Sequence, residues 1–143
     1  MIRTSTVPLV DALLDMCHNW ANNRSKDPST KVGALVYDAH GGIHLGYNGF
    51  PVGIEDREER WQRPTKYSYV RHAEENAIIK ALRAGVAMET SVLYCTHKPC
   101  HRCAGLIINA GIKKVIYAKD YDDGPLTNEL FEEAGIDYYK HDT

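Results

Sequence analysis

The stretch SVLYCTHKPCHRCAGLIINAGIKKVIYA, residues 91–118, predicts a strand, a helix and a second strand in succession. Residues 91–96 and 114–118 are short apolar runs with the length of strands. Residues 100–110 have the length and spacing of a helix, and Gly111 is a suitable residue to end it. Strands that alternate with helices of this length are typical of α/β domains, in which helices cover both faces of one sheet.

The same alternation continues on both sides of this unit. Turn residues divide two further apolar runs into a hairpin with strands at 32–37 and 43–47. An irregular stretch runs from residue 48 to about 69, and loops of this length in compact domains are usually functional or mobile. The remaining predicted elements are helices at 8–23, 72–84 and 128–134 and a last strand at 136–140. In the second of these helices we expect three apolar side chains to be buried: Ile78, Ile79 and Leu82.

The composition predicts one soluble globular domain over residues 1–143. The chain is 43% hydrophobic and 25% charged, and its formal net charge is −2. A protein that binds a long nucleic acid neutralises many phosphates with clustered Lys and Arg, so this balance argues against such a partner. No apolar run approaches the ~18–20 residues of a membrane span, and the N-terminus lacks a signal-peptide core. We therefore expect a cytoplasmic protein with no membrane partner.

Three side chains are candidate zinc ligands: His72, Cys100 and Cys103. The two thiols lie three residues apart at the start of a predicted helix, where neighbouring turns bring both sulfurs to one ion. The positive end of the helix also favours thiolates. Three protein ligands leave a fourth tetrahedral position for water, which is typical of catalytic zinc, whereas structural zinc sites have four protein ligands. The other two cysteines, Cys17 and Cys95, lie on apolar faces and are expected to be core thiols.

Glu74 follows His72 by two residues and is the candidate proton shuttle beside a metal-bound water. Taken alone, the two thiols are equally consistent with a redox pair or with half of a structural zinc site. His72-Ala73-Glu74 followed by Pro99-Cys100-His101-Arg102-Cys103 matches the zinc-deaminase signature H-x-E…P-C-x-x-C. The combined pattern therefore favours a catalytic zinc site.

Further blocks of sequence extend this signature: SKDPSTKVGA at 25–34, GYNGFP at 46–51 and KYSYV at 66–70. With them the chain resembles the deoxycytidylate (dCMP) deaminases of the cytidine deaminase superfamily over roughly residues 5–140. The resemblance implies a three-layer α/β/α domain with a central mixed five-stranded sheet. It also implies hydrolytic deamination of dCMP to dUMP and ammonia, which feeds thymidylate synthesis.

The same resemblance implies roles for individual residues. A zinc-activated water attacks C4 of cytosine, while Glu74 delivers the water proton to N3 and, in a second transfer, protonates the departing amine. Backbone groups at Ala73 and Pro99 hold the base edge, Asn48 binds the sugar, and Tyr121 forms a wall of the pocket. The predicted contacts of the 5′-phosphate are Lys26, Ser29 and Thr30. A cation with two hydroxyls suits a monophosphate, although Lys26 alone is equally an ordinary exposed charge.

Regulation is also implied by the resemblance. In dCMP deaminases the Gly-Tyr-Asn-Gly loop, here with Gly46, Tyr47 and Gly49, binds a deoxynucleoside triphosphate with Mg²⁺, dCTP activating and dTTP inhibiting. Such enzymes are usually homohexamers, and Arg83 corresponds to a position toward the subunit interface. Some viral relatives bind a second zinc through Cys and His of the long loop. Residues 49–69 contain neither, so we predict one zinc per chain.

Three alternatives to dCMP deamination stay open at this point. One is a substrate with methyl or hydroxymethyl at C5 of dCMP, because no residue in the sequence indicates the size of the pocket near C5. Editing of tRNA or single-stranded DNA is another, although the chain lacks the basic run that a polynucleotide requires. The third is a structural zinc module, for which His97 or His101 is the nearby candidate fourth ligand.

Overall fold

A five-stranded mixed sheet forms the centre of the molecule, in a computed structural model that describes residues 6–142. The strands are β1 (Gly33–Tyr37), β2 (Ile43–Tyr47), β3 (Val92–His97), β4 (Lys114–Lys119) and β5 (Asp137–Lys140), arranged in the order β2-β1-β3-β4-β5. Strand β1 is antiparallel to both β2 and β3, whereas β3, β4 and β5 are parallel. This confirms the predicted hairpin and the predicted mixed sheet. The ends of the predicted domain, residues 1–5 and 143, lie outside the described residues.

Five α-helices accompany the sheet in this part of the chain: α1 (Leu9–Arg24), α2 (Lys66–Tyr69), α3 (Ala73–Arg83), α4 (His101–Ala110) and α5 (Leu126–Ala134). Two short 3-10 helices, Glu58–Trp61 and Met88–Thr90, complete the list. The four longer helices agree with the prediction within a few residues. Helix α4 ends at Gly111, which takes the left-handed conformation with φ 97°. Glycine adopts this conformation without the steric cost that a Cβ imposes.

Two hydrophobic clusters on opposite faces of the sheet establish the three layers. Helix α1 buries Leu13, Leu14 and Cys17 against Leu35, Tyr94 and Ile116 of β1, β3 and β4. The alternate residues of the same strands point to the other face, where Ala34, Val36, Leu93, Cys95 and Val115 pack against α3, α4 and α5. Both Cys17 and Cys95 are fully buried, which confirms that they are core thiols.

The predicted irregular stretch at 48–69 contains two short helices instead of continuous loop. An aromatic stack holds them in place: the rings of Phe50 and Trp61 have centroids 4.4 Å apart, and Tyr69 lies 5.5 Å from Phe50. The turns are too short to show a helical period in the sequence, which explains why they were not predicted.

Helix α3 lies unusually close to β2. A Cβ at Gly46 would stand 2.5 Å from the backbone nitrogen of Ala77, so only glycine permits this approach. Asn76 and Lys80 of the same helix donate hydrogen bonds to the carbonyl oxygens of Tyr47 and Leu45.

The prediction that all three large apolar residues of α3 are buried is wrong for two of them. Ile78 is fully buried, but Ile79 and Leu82 are 45% and 44% exposed. The face of α3 that meets the sheet is occupied by small alanines, and the two larger side chains point away from it.

None of the helices in residues 6–142 is long and apolar enough to cross a bilayer.

Candidate active site

His72, Cys100 and Cys103 converge at the starts of two helices. His72 is the residue immediately before α3, and Cys100 is the residue immediately before α4. The Nδ1 atom of His72 lies 3.2 Å from the Sγ of Cys103 and 3.5 Å from the Sγ of Cys100. All three ligand atoms lie within 4.8 Å of one another, and this is the sole such cluster of three in the part of the chain that the structure describes.

The donor set fits a zinc ion. Ligand atoms at about 2.0–2.3 Å from a tetrahedral zinc stand roughly 3.3–3.8 Å from each other. The His72–Cys103 and His72–Cys100 separations of 3.2 and 3.5 Å are close to that range. One imidazole and two thiols are also ligand types that zinc prefers. His72 offers Nδ1, since this nitrogen faces both sulfurs.

Electrostatics at the cluster favours an anionic sulfur. A hydrogen bond from Cys103 and the neighbouring His72 lower the pKa of the Cys100 thiol to about 4. The same hydrogen bond, together with burial, raises the pKa of Cys103. Contact with Cys100 in turn raises the pKa of His72. Cys100 is therefore a thiolate at neutral pH, which is the form that ligates metal.

Glu74 points from the first turn of α3 toward the ligand cluster. It is only 4% exposed. Burial raises the pKa of Glu74 above its usual value, because removing water disfavours the charged form. A carboxyl group with a raised pKa, next to a metal site but not among its closest ligands, is suited to accept and release a proton near neutral pH.

A cavity of about 270 Å³ opens over the cluster. His72, Glu74 and Cys100 line one part of it, and polar residues of the segment between α1 and β1 line another. Of the predicted substrate contacts, five line the cavity: Ser29, Thr30, Asn48, Ala73 and Tyr121. The volume is at the small end of ligand pockets and suits a compact, polar molecule.

Asn48 organises the polar side of this cavity. Its Oδ1 accepts hydrogen bonds from Ser25 Oγ and the backbone nitrogen of Val32, at 2.8 and 2.9 Å. Its Nδ2 donates to the Thr30 carbonyl oxygen and to Asp27. These four bonds use all the hydrogen-bonding positions of the amide, so Asn48 supports the loop in this structure, and its contact with a sugar stays a prediction.

Lys26 and Arg63 differ in their relation to the cavity. Lys26 is 62% exposed, does not line the cavity, and lies 3.3 Å from Asp56. Arg63 does line it, and its Nη2 donates to Ser29 Oγ at 3.1 Å. Among residues 6–142, no carboxylate lies within 4 Å of the Arg63 guanidinium. The predicted phosphate contact of Lys26 stays a prediction, while the structure places other cations at the cavity, Arg63 among them.

Pro99, predicted to hold the base edge, and Tyr121, predicted to form a wall of the pocket, both lie in segments held by their neighbours. Pro99 does not line the cavity, and its carbonyl oxygen accepts a hydrogen bond from Thr127 at 3.2 Å. Tyr121 lies in the loop after β4, which is attached to α4 through Asp123. The Asp123 carboxylate accepts hydrogen bonds from both the backbone nitrogen and the ring of His101.

Residues 9–119 match the sequence model of the cytidine and deoxycytidylate deaminase zinc-binding region. The chain belongs to this deaminase family. The deoxycytidylate deaminase of Mus musculus is 43% identical over 128 residues, which cover 82% of this chain and 71% of the mouse protein. That of Pongo abelii is 39% identical with the same coverage. A crystal structure of the cyanophage S-TIM5 dCMP deaminase in complex with dCMP and dUMP superposes with a TM-score of 0.78 at 29% identity, over 96% of this chain and all of the phage chain.

A second cavity of this deaminase domain lies along α3, on the side of Ile79 and Arg83. Gly46 and Tyr47 line it, together with the cationic residues Arg24, Arg71 and Lys80. Gly49 does not line this cavity; its backbone nitrogen and oxygen pair with Arg71 in an isolated bridge. Three of the four residues predicted to bind an effector or a subunit therefore share this cavity.

Several polar residues of this cavity were not predicted to contact substrate. These are Asp27, Arg63, Lys66, His97 and Lys98. Arg63 ends a charge-rich run at 55–63, and nothing in the pattern of this run distinguishes Arg63 from its neighbours. The signal for Asp27 was stronger, since Asp followed by Pro and Ser is typical of a turn in which the carboxylate accepts backbone N–H groups.

Proposed function

We propose that this chain is a zinc-dependent deaminase that hydrolyses dCMP to dUMP and ammonia. The observation that carries the proposal is the buried Glu74 carboxyl beside the His72, Cys100 and Cys103 cluster on the wall of a polar cavity. The sequence relatives named deoxycytidylate deaminase and the phage enzyme solved with dCMP and dUMP support the same substrate.

The residues of the site divide the reaction between them. His72, Cys100 and Cys103 would hold zinc, which supplies a Lewis acid that makes water nucleophilic near neutral pH. Glu74 accepts a proton from the attacking water and delivers it to N3 of the base. It then takes the second proton, from the hydroxyl added at C4, and passes it to the C4 amino group, which leaves as ammonia and yields the uracil ring. The backbone at Ala73 lies beside Glu74 on the same cavity wall, where it can position the pyrimidine edge.

We assign the 5′-phosphate to the polar side of the cavity. The hydroxyl-bearing residues Ser29 and Thr30 and the cation Arg63 meet there, and Lys98 lines the same cavity. A guanidinium with adjacent hydroxyls suits phosphate because it offers charge-assisted hydrogen bonds in a fixed geometry. Lys26 reaches a substrate only if it leaves Asp56, and Tyr121 forms the outer wall.

A substrate panel tests the proposed function. The zinc-loaded protein is assayed for ammonia release with dCMP, CMP, dCTP, 5-methyl-dCMP and deoxycytidine. We expect the highest kcat/KM with dCMP. Deoxycytidine as the best substrate would refute the assigned phosphate site. Preference for 5-methyl-dCMP would identify the substrate as a C5-substituted nucleotide.

The second cavity supports a proposal for regulation and assembly. Its arginines and Lys80 suit the triphosphate of a deoxynucleotide carried with Mg²⁺, and exposed Ile79 suits contact with a neighbouring subunit. We assign dCTP and dTTP as opposing effectors and a homohexamer as the assembly. Light scattering and dCMP kinetics with each triphosphate test both assignments, and a monomer with unchanged kinetics would refute them.

The thiol chemistry supports a proposal for the compartment. All four cysteines are free, and Cys100 and Cys103 must stay reduced to ligate metal. We therefore place this single deaminase domain in the cytoplasm, where thiols are kept reduced. Fractionation of the source cells with an antibody against the protein tests this assignment.

A further inference from the structure

A buried ion pair joins two segments of the polar cavity wall. The Nζ of Lys66 lies 3.2 Å from both carboxylate oxygens of Asp27. The two side chains are only 6% and 7% exposed, although both residues lie in segments that are otherwise largely exposed. Lys66 opens α2, whereas Asp27 lies in the loop between α1 and β1, 39 positions earlier in the sequence. The reaction described above gives neither residue a chemical role.

Asp27 is bonded to more than Lys66. Its Oδ1 accepts the backbone N–H groups of Ser29 and Thr30 at 2.8 and 3.2 Å. Its Oδ2 accepts the amide of Asn48 at 3.3 Å. A single carboxylate thus holds the backbone of the loop that carries the two hydroxyls assigned to the phosphate. Because the backbone N–H groups of Ser29 and Thr30 are bonded to Asp27, the positions of their hydroxyls depend on the position of the Asp27 carboxylate.

Lys66 determines where Asp27 lies. A buried charge without a partner is strongly unfavourable, so the carboxylate and the ammonium constrain one another. The neighbouring Lys26–Asp56 pair has a similar separation of 3.3 Å, but its side chains are 62% and 34% exposed. It does not fix the backbone of a loop as the Asp27–Lys66 pair does. Exposed pairs of that kind contribute little to geometry or stability.

We propose that Asp27 and Lys66 form a positioning pair that sets the specificity for a 5′-phosphate. The pair fixes the Ser29–Thr30 loop against α2 and thereby pre-organises the phosphate site, without touching the reacting atoms. This inference rests on the proposed function, because it presumes a nucleotide substrate. In this proposal, the Asp27–Lys66 pair is the reason that the enzyme discriminates between dCMP and deoxycytidine.

The test compares these two substrates in three variants of the zinc-loaded enzyme. Asp27→Asn keeps an acceptor for the Ser29 and Thr30 N–H groups but removes the charge that holds Lys66. Lys66→Met removes the other partner. We expect either change to raise KM for dCMP about tenfold, the equivalent of one charge-assisted hydrogen bond, and to change KM for deoxycytidine less than about twofold. With saturating dCMP, kcat should stay within about threefold of the wild-type value.

The double variant Asp27→Asn/Lys66→Met provides the second measurement. It leaves no unpaired buried charge, so it should fold at least as well as the worse single variant, and its KM effect should be far less than the product of the two single effects. Product binding gives a readout independent of turnover: calorimetry should show weaker dUMP binding and unchanged deoxyuridine binding. Asp137→Asn, in an exposed pair at β5, is the matched control and should leave all values unchanged.

The outcomes are distinguishable. Absence of dCMP turnover by the wild-type holoenzyme would overturn the proposed function and this inference with it. Wild-type turnover, with equal losses on dCMP and deoxycytidine in the variants, would overturn the inference alone. Loss of the folded state in all three variants would assign the pair to stability and would also overturn it.

Discussion

The Nδ1 of His72 lies 3.2 Å from the Sγ of Cys103, although the two residues are 31 positions apart. Strand β3 lies between the helices that carry them, so both helices begin at the same edge of the sheet. The contact of His72 with the two thiols therefore depends on the course of β3, whereas Cys100 and Cys103 are brought together by one turn of α4.

Metal content tests the ligand set. We expect one zinc per chain in the wild-type protein and much less than one in Cys103→Ala, because two remaining ligands hold zinc weakly. Mass spectrometry under native conditions, or atomic absorption on purified protein, gives the ratio. Cys95→Ala is the control, since this fully buried thiol lies in the core cluster and should leave the zinc content unchanged. Two zinc ions per wild-type chain would contradict the prediction.

Glu74→Gln should abolish proton transfer and leave the metal in place. The amide has the same shape but cannot accept the proton, and loss of a general base lowers kcat by about 10²–10⁴-fold. Ammonia release measures kcat, and zinc content is determined on the same sample. Glu75→Gln, one position further along the partly exposed side of α3, should retain wild-type activity. Retained turnover in Glu74→Gln would remove Glu74 from the mechanism.

Arg63→Ala should impair phosphate binding selectively. We expect KM for dCMP to rise about tenfold and KM for deoxycytidine to stay unchanged, since one charge-assisted contact is removed. Steady-state kinetics on both substrates provides the comparison. Arg57→Ala is the matched control, because Arg57 is an exposed arginine of the same segment that pairs with Glu55. An equal effect of the two substitutions would show that Arg63 has no specific contact.

Gly46→Ala should destabilise the fold. The added methyl group would stand 2.5 and 2.6 Å from the backbone of Ala77 and Ala73, and backbone cannot rotate away. Overpacking of this kind costs about 1–3 kcal/mol in the free energy of unfolding. Gly105→Ala is the control: this position in α4 has open space around it, and alanine should stabilise the helix by about 0.5–1 kcal/mol. Urea denaturation measures both, and equal midpoints would contradict the described contact.

The turn between β1 and β2 should give a pH-dependent contribution to stability. His44 and the backbone nitrogens of Gly42 and His40 lower the pKa of Asp38 from 3.8 to about 2. A lowered pKa stabilises the folded state above the unfolded pKa, and this contribution disappears as the pH falls through about 2. Asp38→Asn should therefore be less stable than wild type at pH 6, with the difference shrinking from pH 4 toward pH 2. Thermal unfolding at several pH values measures this, and a constant difference would exclude the carboxylate as its source.

The parts of the site that the sequence could predict are those fixed by spacing. Cys100 and Cys103 lie one helical turn apart, and His72 and Glu74 lie at the start of a helix that a clear 3.6-residue period defines. The alternation of apolar strand segments with helical segments along the chain likewise predicted a sheet covered on both faces.

The cation at the cavity was not predictable in this way. Lys26 lies beside Ser29 in the sequence, but the path of the chain turns it toward Asp56, whereas Arg63 comes from 34 positions later. Arg63 follows closely after Trp61, which stacks on Phe50 in a contact that no periodic signal in the sequence reveals. The position of Lys66 was not predictable either, because an isolated lysine is usually exposed to solvent. Only its proximity to Asp27 explains its burial.

Strand β2 is an edge strand, and the close approach of α3 affects how that edge can behave. Asn76 and Lys80 bond to the carbonyl oxygens of Tyr47 and Leu45, which reduces the acceptors that an incoming strand from another molecule would need. The absence of a side chain at Gly46 brings the helix near enough for both bonds. Gly46 thus allows α3, which begins beside the metal-ligand cluster, also to limit pairing of the β2 edge with a strand of another molecule.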